Sequence, residues 1–173
     1  MIITYKEKSP NISTQVFVAP DAWVIGDVKL AENVGVFFGA IIRGDLLAIR
    51  IGARTNIQDN SVIHTTYNRI PTVIGEQVTV GHRALLHSCI VEDRSLIGMG
   101  AIVLDEAVIR EGSLVAAGTV VTEKKKFPPR SLIMGTPGKA VRQLDDEEFA
   151  AIVNSSDRYV DVAQNYIAQF AAS

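Results

Sequence analysis

An aliphatic residue returns at every sixth position along most of this chain. The series runs Val18, Val24, Leu30, Val36, Ile42. After a short insertion it resumes at Ile51, Ile57 and Ile63, and after a second at Ile74, Val80 and Leu86. One step is a residue short, and then Val91, Ile97, Val103, Ile109, Val115 and Val121 follow. Four residues beyond an anchor the side chain is usually small, as at Ala22, Ala40, Thr55, Ser61, Ala84, Ala101, Ala107, Ser113 and Thr119. Glycine often follows the anchor directly, as at Gly52, Gly75, Gly81 and Gly98. A half-buried strand of an ordinary sheet alternates with period two, so this pattern needs another geometry. One large inward residue per six cannot bury itself alone. Stacking successive coils buries the anchors in a continuous column, which predicts a parallel β-helix over about 12–135.

Past the repeats, Phe127-Pro128-Pro129 is expected to interrupt the strands, and Gly135-Thr136-Pro137-Gly138 to form a turn. Asp145 with Glu148 reads as a capping box opening a helix over about 145–172. Its apolar positions Phe149, Ile152, Val153, Tyr159, Val162, Ala163, Tyr166, Ile167 and Phe170 should pack back along the coils, with Asn154-Ser155-Ser156 as the place for a break. The whole, 1–173, reads as one domain.

Composition narrows the function classes. Aromatics are only 6% of the 173 residues, which suits short stacked strands. A net charge of −2 leaves no electrostatic footprint for nucleic acid. The run Lys124-Lys125-Lys126 reads as a solvated loop, too small a basic patch to hold a membrane. No stretch has the length of a signal core or a membrane span. The single cysteine, Cys89, allows no internal disulfide and fits a reducing compartment. A cytoplasmic protein is expected.

The chain has three histidines, His64, His82 and His87, all within two coils. At three hexapeptides per coil, the Leu86 unit stacks directly on the Ile63 unit. His64 and His87 each follow their anchor by one residue, so they share one column about 4.8 Å apart, within reach of one metal ion. His82 lies two residues beyond Val80, on the neighbouring face, so it cannot readily join them within one chain. A threefold assembly setting one corner against the next protomer's face would bring it in. Three histidines with an open fourth position characterise catalytic zinc. Arg43 shares the His64–His87 column, and Asp59 lies directly beneath His82.

Hexapeptide repeats of this kind resemble the left-handed parallel β-helix family, and the left hand is implied by that resemblance alone, since it breaks the usual crossover rule. The chain further resembles the γ-class carbonic anhydrases and their carbonic anhydrase-like relatives over essentially its whole length. His64 in Asp59-Asn60-Ser61-Val62-Ile63-His64 and His87 in Leu85-Leu86-His87 match that family's same-chain ligands, and His82 in Val80-Gly81-His82 its partner-chain ligand. Arg43-Gly44-Asp45 matches the family's Arg-x-Asp, and Asn56-Ile57-Gln58-Asp59 its Asn-x-Gln-Asp segment. The resemblance implies a homotrimer with the metal at subunit interfaces and Arg43 pairing with Asp59 across them. It also implies Gln58 orienting hydroxide and Tyr159 lining the site, although an ordinary core tyrosine would read the same way.

Zinc on three neutral imidazoles lowers the pKa of its water to about 7 and supplies hydroxide. Metal-bound hydroxide attacks carbon dioxide to give bicarbonate. Iron or cobalt could also be held, because three histidines alone do not select zinc. The sequence departs from the best-known active members in two places. Leu46 stands where they carry Glu after the Arg-x-Asp, and the loop from Thr65 to Thr72 is short and has no acid. Two other readings stay open. One is a metal-carrying binding or assembly protein without useful catalysis. The other is a hexapeptide acyltransferase, whose Gly-x-Pro-x-Lys segment Gly135-Thr136-Pro137-Gly138-Lys139 resembles.

Overall fold

Every anchor of the series lies on one of three faces of a triangular coil. In the computed structural model, which describes residues 1–172, mostly two- and three-residue parallel strands stack rung on rung for about seven turns of a left-handed β-helix. The first face stacks Val18, Val36, Ile57, Val80, Ile97, Val115 and Ile133. The second stacks Val24, Ile42, Ile63, Leu86, Val103 and Val121. Leu30, Ile51, Ile74, Val91 and Ile109 make the third. All of these are buried except Val18, which sits on the outermost rung of its face. Each fully buried anchor is worth roughly 1.5–3 kcal/mol over an exposed one, so the column is the main source of stability.

The small positions have a steric cause. A Cβ added at Gly52 would stand 2.5 Å from the carbonyl carbon of Gly75, and one at Gly98 would stand 2.5 Å from the Ala117 amide. Successive rungs pass too closely at these points for any side chain. Two hydroxyls among the small residues bond upward, Thr55 Oγ1 to the Gly75 carbonyl at 2.7 Å and Ser61 Oγ to that of Gly81 at 2.9 Å.

Within the predicted span of about 12–135, the column continues past the first and last anchors of the aliphatic series. Phe127-Pro128-Pro129 does not interrupt it: Phe127 is buried at the sixth position after Val121, and Lys126 bridges to Val108. Ile133 follows six residues later, and at the other end Ile12 pairs in register with Leu30. The anchor here is aromatic, and the two prolines fall in the exposed turn beyond it. A hairpin of Ser131–Met134 with Lys139–Gln143 closes this end across the turn at residues 135–138.

Two insertions shape the site. Gly26 pairs with Gly44 and Val28 with Ile49, so residues 45–48 bulge out opposite Asp27 and carry Asp45 sideways. The second, between His64 and Thr72, is pinned at both ends: Thr66 N donates to Ser88 Oγ at 3.0 Å, and Thr72 Oγ1 to the His64 carbonyl at 2.7 Å.

Helix α1, Asp146–Ala171, opens on the expected capping box of Asp145 and Glu148. It is unbroken through Asn154–Ser156, because Ser156 is fully buried and its hydroxyl bonds the Val153 carbonyl at 3.1 Å. A small residue there brings the helix close without bending it. Ile152 and Ala163 are buried beside Ser156, whereas Val162 and Phe170 remain exposed at 38% and 46%. Phe170 nevertheless stacks with Phe17 and Tyr166. The helix covers one edge of the first face. No helix among the described residues is long and apolar enough to cross a membrane.

Candidate metal centre

Stacking alone brings two of the three histidines together. Leu86 pairs with Ile63 and His87 with His64, and the imidazoles meet with His64 Nδ1 3.2 Å from His87 Nε2. Each ring's other nitrogen is held by a carboxylate. His64 Nε2 is 3.0 Å from Asp45 Oδ1, and His87 Nδ1 is 2.5 Å from Asp105 Oδ1. A carboxylate fixes the proton on the nitrogen that faces it, so both inward nitrogens present lone pairs. Two nitrogens bound tetrahedrally at 2.0–2.1 Å stand about 3.3 Å apart. The observed 3.2 Å fits a shared metal ion.

Electrostatics favour the same protonation state. Burial pushes the His64 imidazole below its ordinary value, against the hydrogen bond to Asp45 that would raise it. Burial would raise the Asp45 carboxyl, but hydrogen bonds from His64 and Arg43 outweigh it and hold the group low. Arg43 Nη1 lies 2.5 Å from Asp45 Oδ2, so the arginine anchors the carboxylate that orients His64.

His82 belongs to the first face, where Val80 is stacked on Ile57. Its Nδ1 lies 2.7 Å from Asp59 Oδ2, in the register expected, and its side chain is 40% exposed. Within the chain Asp59 has His82 for its partner and Arg43 has Asp45. No group of three or more histidine, cysteine or acidic residues is gathered to hold a metal within the chain, among the described residues.

Beside His82 runs an open groove of about 410 Å³ between the first face and α1. Gln58 and His82 supply polar groups at its edge, Leu96, Met99 and Leu114 supply apolar wall, and Tyr159 enters from the helix. Gln58 is buried, and its amide donates to Asn56 Oδ1 at 3.1 Å while Asn56 donates to Thr79 Oγ1 at 3.0 Å. Tyr159 also packs edge-on against Phe37, and burial, helped by the Asp59 charge, keeps its hydroxyl above its ordinary value and therefore protonated. Lining the groove and packing in the core are both true of it.

The residue missed by pattern reading is Asp105. It lies two positions beyond Val103, on the rung above Leu86, and is 8% exposed. An acid at the corner next to a histidine one rung away was a legible signal. Cys89 is fully buried, and burial pushes its thiol up to about 12, so it is inert.

No family model matches the chain. It is 43% identical over 166 residues to a carbonic anhydrase of Geobacillus kaustophilus, covering 96% of this chain and 91% of that one. It is 42% identical over 163 residues to γ carbonic anhydrase 2 of Arabidopsis thaliana mitochondria, covering 91% of this chain but only 59% of the plant protein. Among solved structures, a hexapeptide transferase family protein from Anaplasma phagocytophilum superposes with a TM-score of 0.91 at 38% identity, covering 95% of this chain and 97% of that one.

Proposed function

The chain belongs to the γ-class carbonic anhydrase family, and we propose that it hydrates carbon dioxide reversibly to bicarbonate at a transition-metal centre shared between copies in a homotrimer. The observation carrying this reading is the pair of inward nitrogens 3.2 Å apart on His64 and His87, each ring backed by a carboxylate. His82 of the partner subunit completes the donor set. Support for the assembly comes from the second face, whose outward residues Ile41, Val62, Leu85, Ile102 and Val120 form a half-buried aliphatic ladder beside His64 and His87. A corner-to-face contact is heterologous, and a ring closes it.

Three neutral imidazoles suit zinc, with iron or cobalt as alternatives. When bound so, the ion lowers the pKa of water to about 7 and supplies hydroxide. Asp45 orients His64, Arg43 holds Asp45, and Asp59 orients His82. Gln58 would orient the hydroxide, and Tyr159 lines the groove beside it. The buried thiol fits a reducing compartment, and we assign the protein to the cytoplasm.

Leu46, in the place of an acid, favours a second reading in which the protein binds metal but turns over slowly. An acyltransferase reading has only the word transferase in the name of the Anaplasma relative behind it, and a single general base would leave the paired histidines without a use. Elemental analysis should find about one transition metal ion per chain, and stopped-flow hydration should then separate enzyme from metal carrier. Protein that carries no metal and is inactive after zinc loading would overturn the proposal.

A further inference from the structure

The short loop between His64 and Thr72 has no acid, but it does carry Arg69, and the structure gives that arginine an unusual setting. Arg69 Nη1 lies 2.5 Å from Glu106, Nη2 lies 3.5 Å from Glu123, and Nε lies 3.8 Å from Asp105 Oδ2. The other oxygen of Asp105 holds His87 Nδ1. Asp105 therefore stands between a loop cation and an imidazole, with its side chain 12% exposed. The loop is fixed on either side of Arg69 by the hydrogen bonds of Thr66 and Thr72 to Ser88 and His64. The cation thus reaches Asp105 from a tethered segment.

We propose that Asp105 and Arg69 form a positioning pair for the metal centre: Asp105 sets the tautomer and ring plane of His87, and Arg69 holds Asp105 to that task. This rests on the reading of His87 as a metal ligand. The alternative is that Asp105 only ties adjacent rungs together, helping the fold and not the donor nitrogen. Charge alone is a second alternative, since an anion near a cation site attracts the cation through space. The two residues separate these explanations, because positioning and charge make opposite demands on Arg69.

Metal affinity decides, measured on full-length protein stripped of metal and titrated with zinc against a competing chelator. Asp105→Ala should weaken binding about 10–100-fold, the usual cost of losing a carboxylate behind a metal-bound histidine. Asp105→Asn, whose Oδ1 still accepts from Nδ1–H, should recover most of that loss. Under a charge effect Asn and Ala would weaken binding equally. Arg69→Gln should weaken binding about threefold or more, because Asp105 loses its anchor. A charge effect predicts tighter binding, since a cation has been removed. Melting of the metal-free variants supplies the control for the fold. If Asp105→Ala lowers the melting temperature yet binds zinc as tightly as wild type, the pair is structural and the inference fails alone. Wild-type protein that binds no zinc would remove the metal centre and this inference together.

Discussion

The two sides of the candidate centre are built differently. At the His64–His87 edge the side chains are 15% and 27% exposed, each imidazole has its own carboxylate, and Arg43 and Arg69 stand behind those carboxylates. At the His82 side one imidazole, 40% exposed, leans on Asp59, itself 36% exposed, at the mouth of an apolar groove. The first arrangement follows from stacking. Equivalent positions on successive rungs must coincide, so two histidines one residue after their anchors meet whatever else the chain does. The second has no such guarantee, since His82, two positions beyond its anchor on another face, meets Asp59 but neither of the other two histidines of its own chain. A preorganised pair and an exposed single donor are what a shared site requires of its two contributors.

The largest expected effect tests that division directly. His64→Ala and His82→Ala should each be metal-poor and inactive, because each destroys one contributor. Unfolded together and refolded, they should form mixed trimers in which roughly a quarter of interfaces pair an intact His64–His87 edge with an intact His82. Metal binding should return to about that fraction of wild type. A mixture of His64→Ala with His87→Ala should recover nothing, since both defects lie on one side. Hybrids confirmed by mass spectrometry but still empty would show that His82 does not complete the site.

This division also marks how far the sequence could be read. Period six identified the faces, and counting units put His87 on His64 and Asp59 beneath His82, as the pairings Leu86–Ile63 and Val80–Ile57 have it. Counting works because each rung is nearly rigid and hydrogen-bonds to the next, so an index in the chain is a coordinate in space. It fails where the chain leaves the rung. Asp45 sits on a bulge, and Arg69 on a loop, so their contacts depend on backbone paths that no period encodes. Phe127 was missed because an aromatic stands in an aliphatic series, and the break expected at Asn154–Ser156 because small polar residues disfavour a free helix but suit one pressed on a sheet. Asp105 needed the register of a third rung to be seen beside His87.

A second comparison sets Asp45 against Asp59, each the carboxylate partner of one histidine. Asp45→Ala removes a mostly buried partner, and zinc affinity should fall about 10–100-fold. Asp59→Ala removes an exposed one, whose pairing is screened by water, and the loss should not exceed about fivefold. Chelator competition measures both. Equal losses would mean that His82 is as rigidly held in the assembly as His64 is in the chain.

Smaller still is the effect expected from Leu46, which lies with Asp45 on the bulge beside the His64–His87 edge. Hydration of carbon dioxide releases a proton that must leave, and a leucine cannot carry it. Leu46→Glu should raise kcat several-fold and kcat/KM less, because regeneration follows the chemical step. The gain should shrink as buffer concentration rises. A wild type already fast in weak buffer would show that another group exports the proton.

The smallest effect should come from the far wall of the His82 groove. Ser155 and Tyr159 of α1 line it, and between them Asp157 ties the helix to two rungs, 2.6 Å from Arg54 and 3.3 Å from Gln77. The hydrogen bond from Arg54, opposed by burial and joined by Gln77, holds the Asp157 carboxyl below its ordinary value. A carboxyl lowered on folding contributes stability that is present above the ordinary carboxylate range and is lost as pH falls through the lowered value. Asp157 is 42% exposed, so Asp157→Asn should cost only roughly 0.2–1 kcal/mol at neutral pH, read as a melting shift of at most about 4 °C. That cost should vanish on acidification, where the wild-type carboxyl is protonated too. Zinc affinity should not change, because the His64–His87 edge lies on other faces and His82 takes its orientation from Asp59. If affinity fell along with the melting temperature, the groove wall would be part of the exposed contributor, and His82 would depend on the helix as well as on its rung.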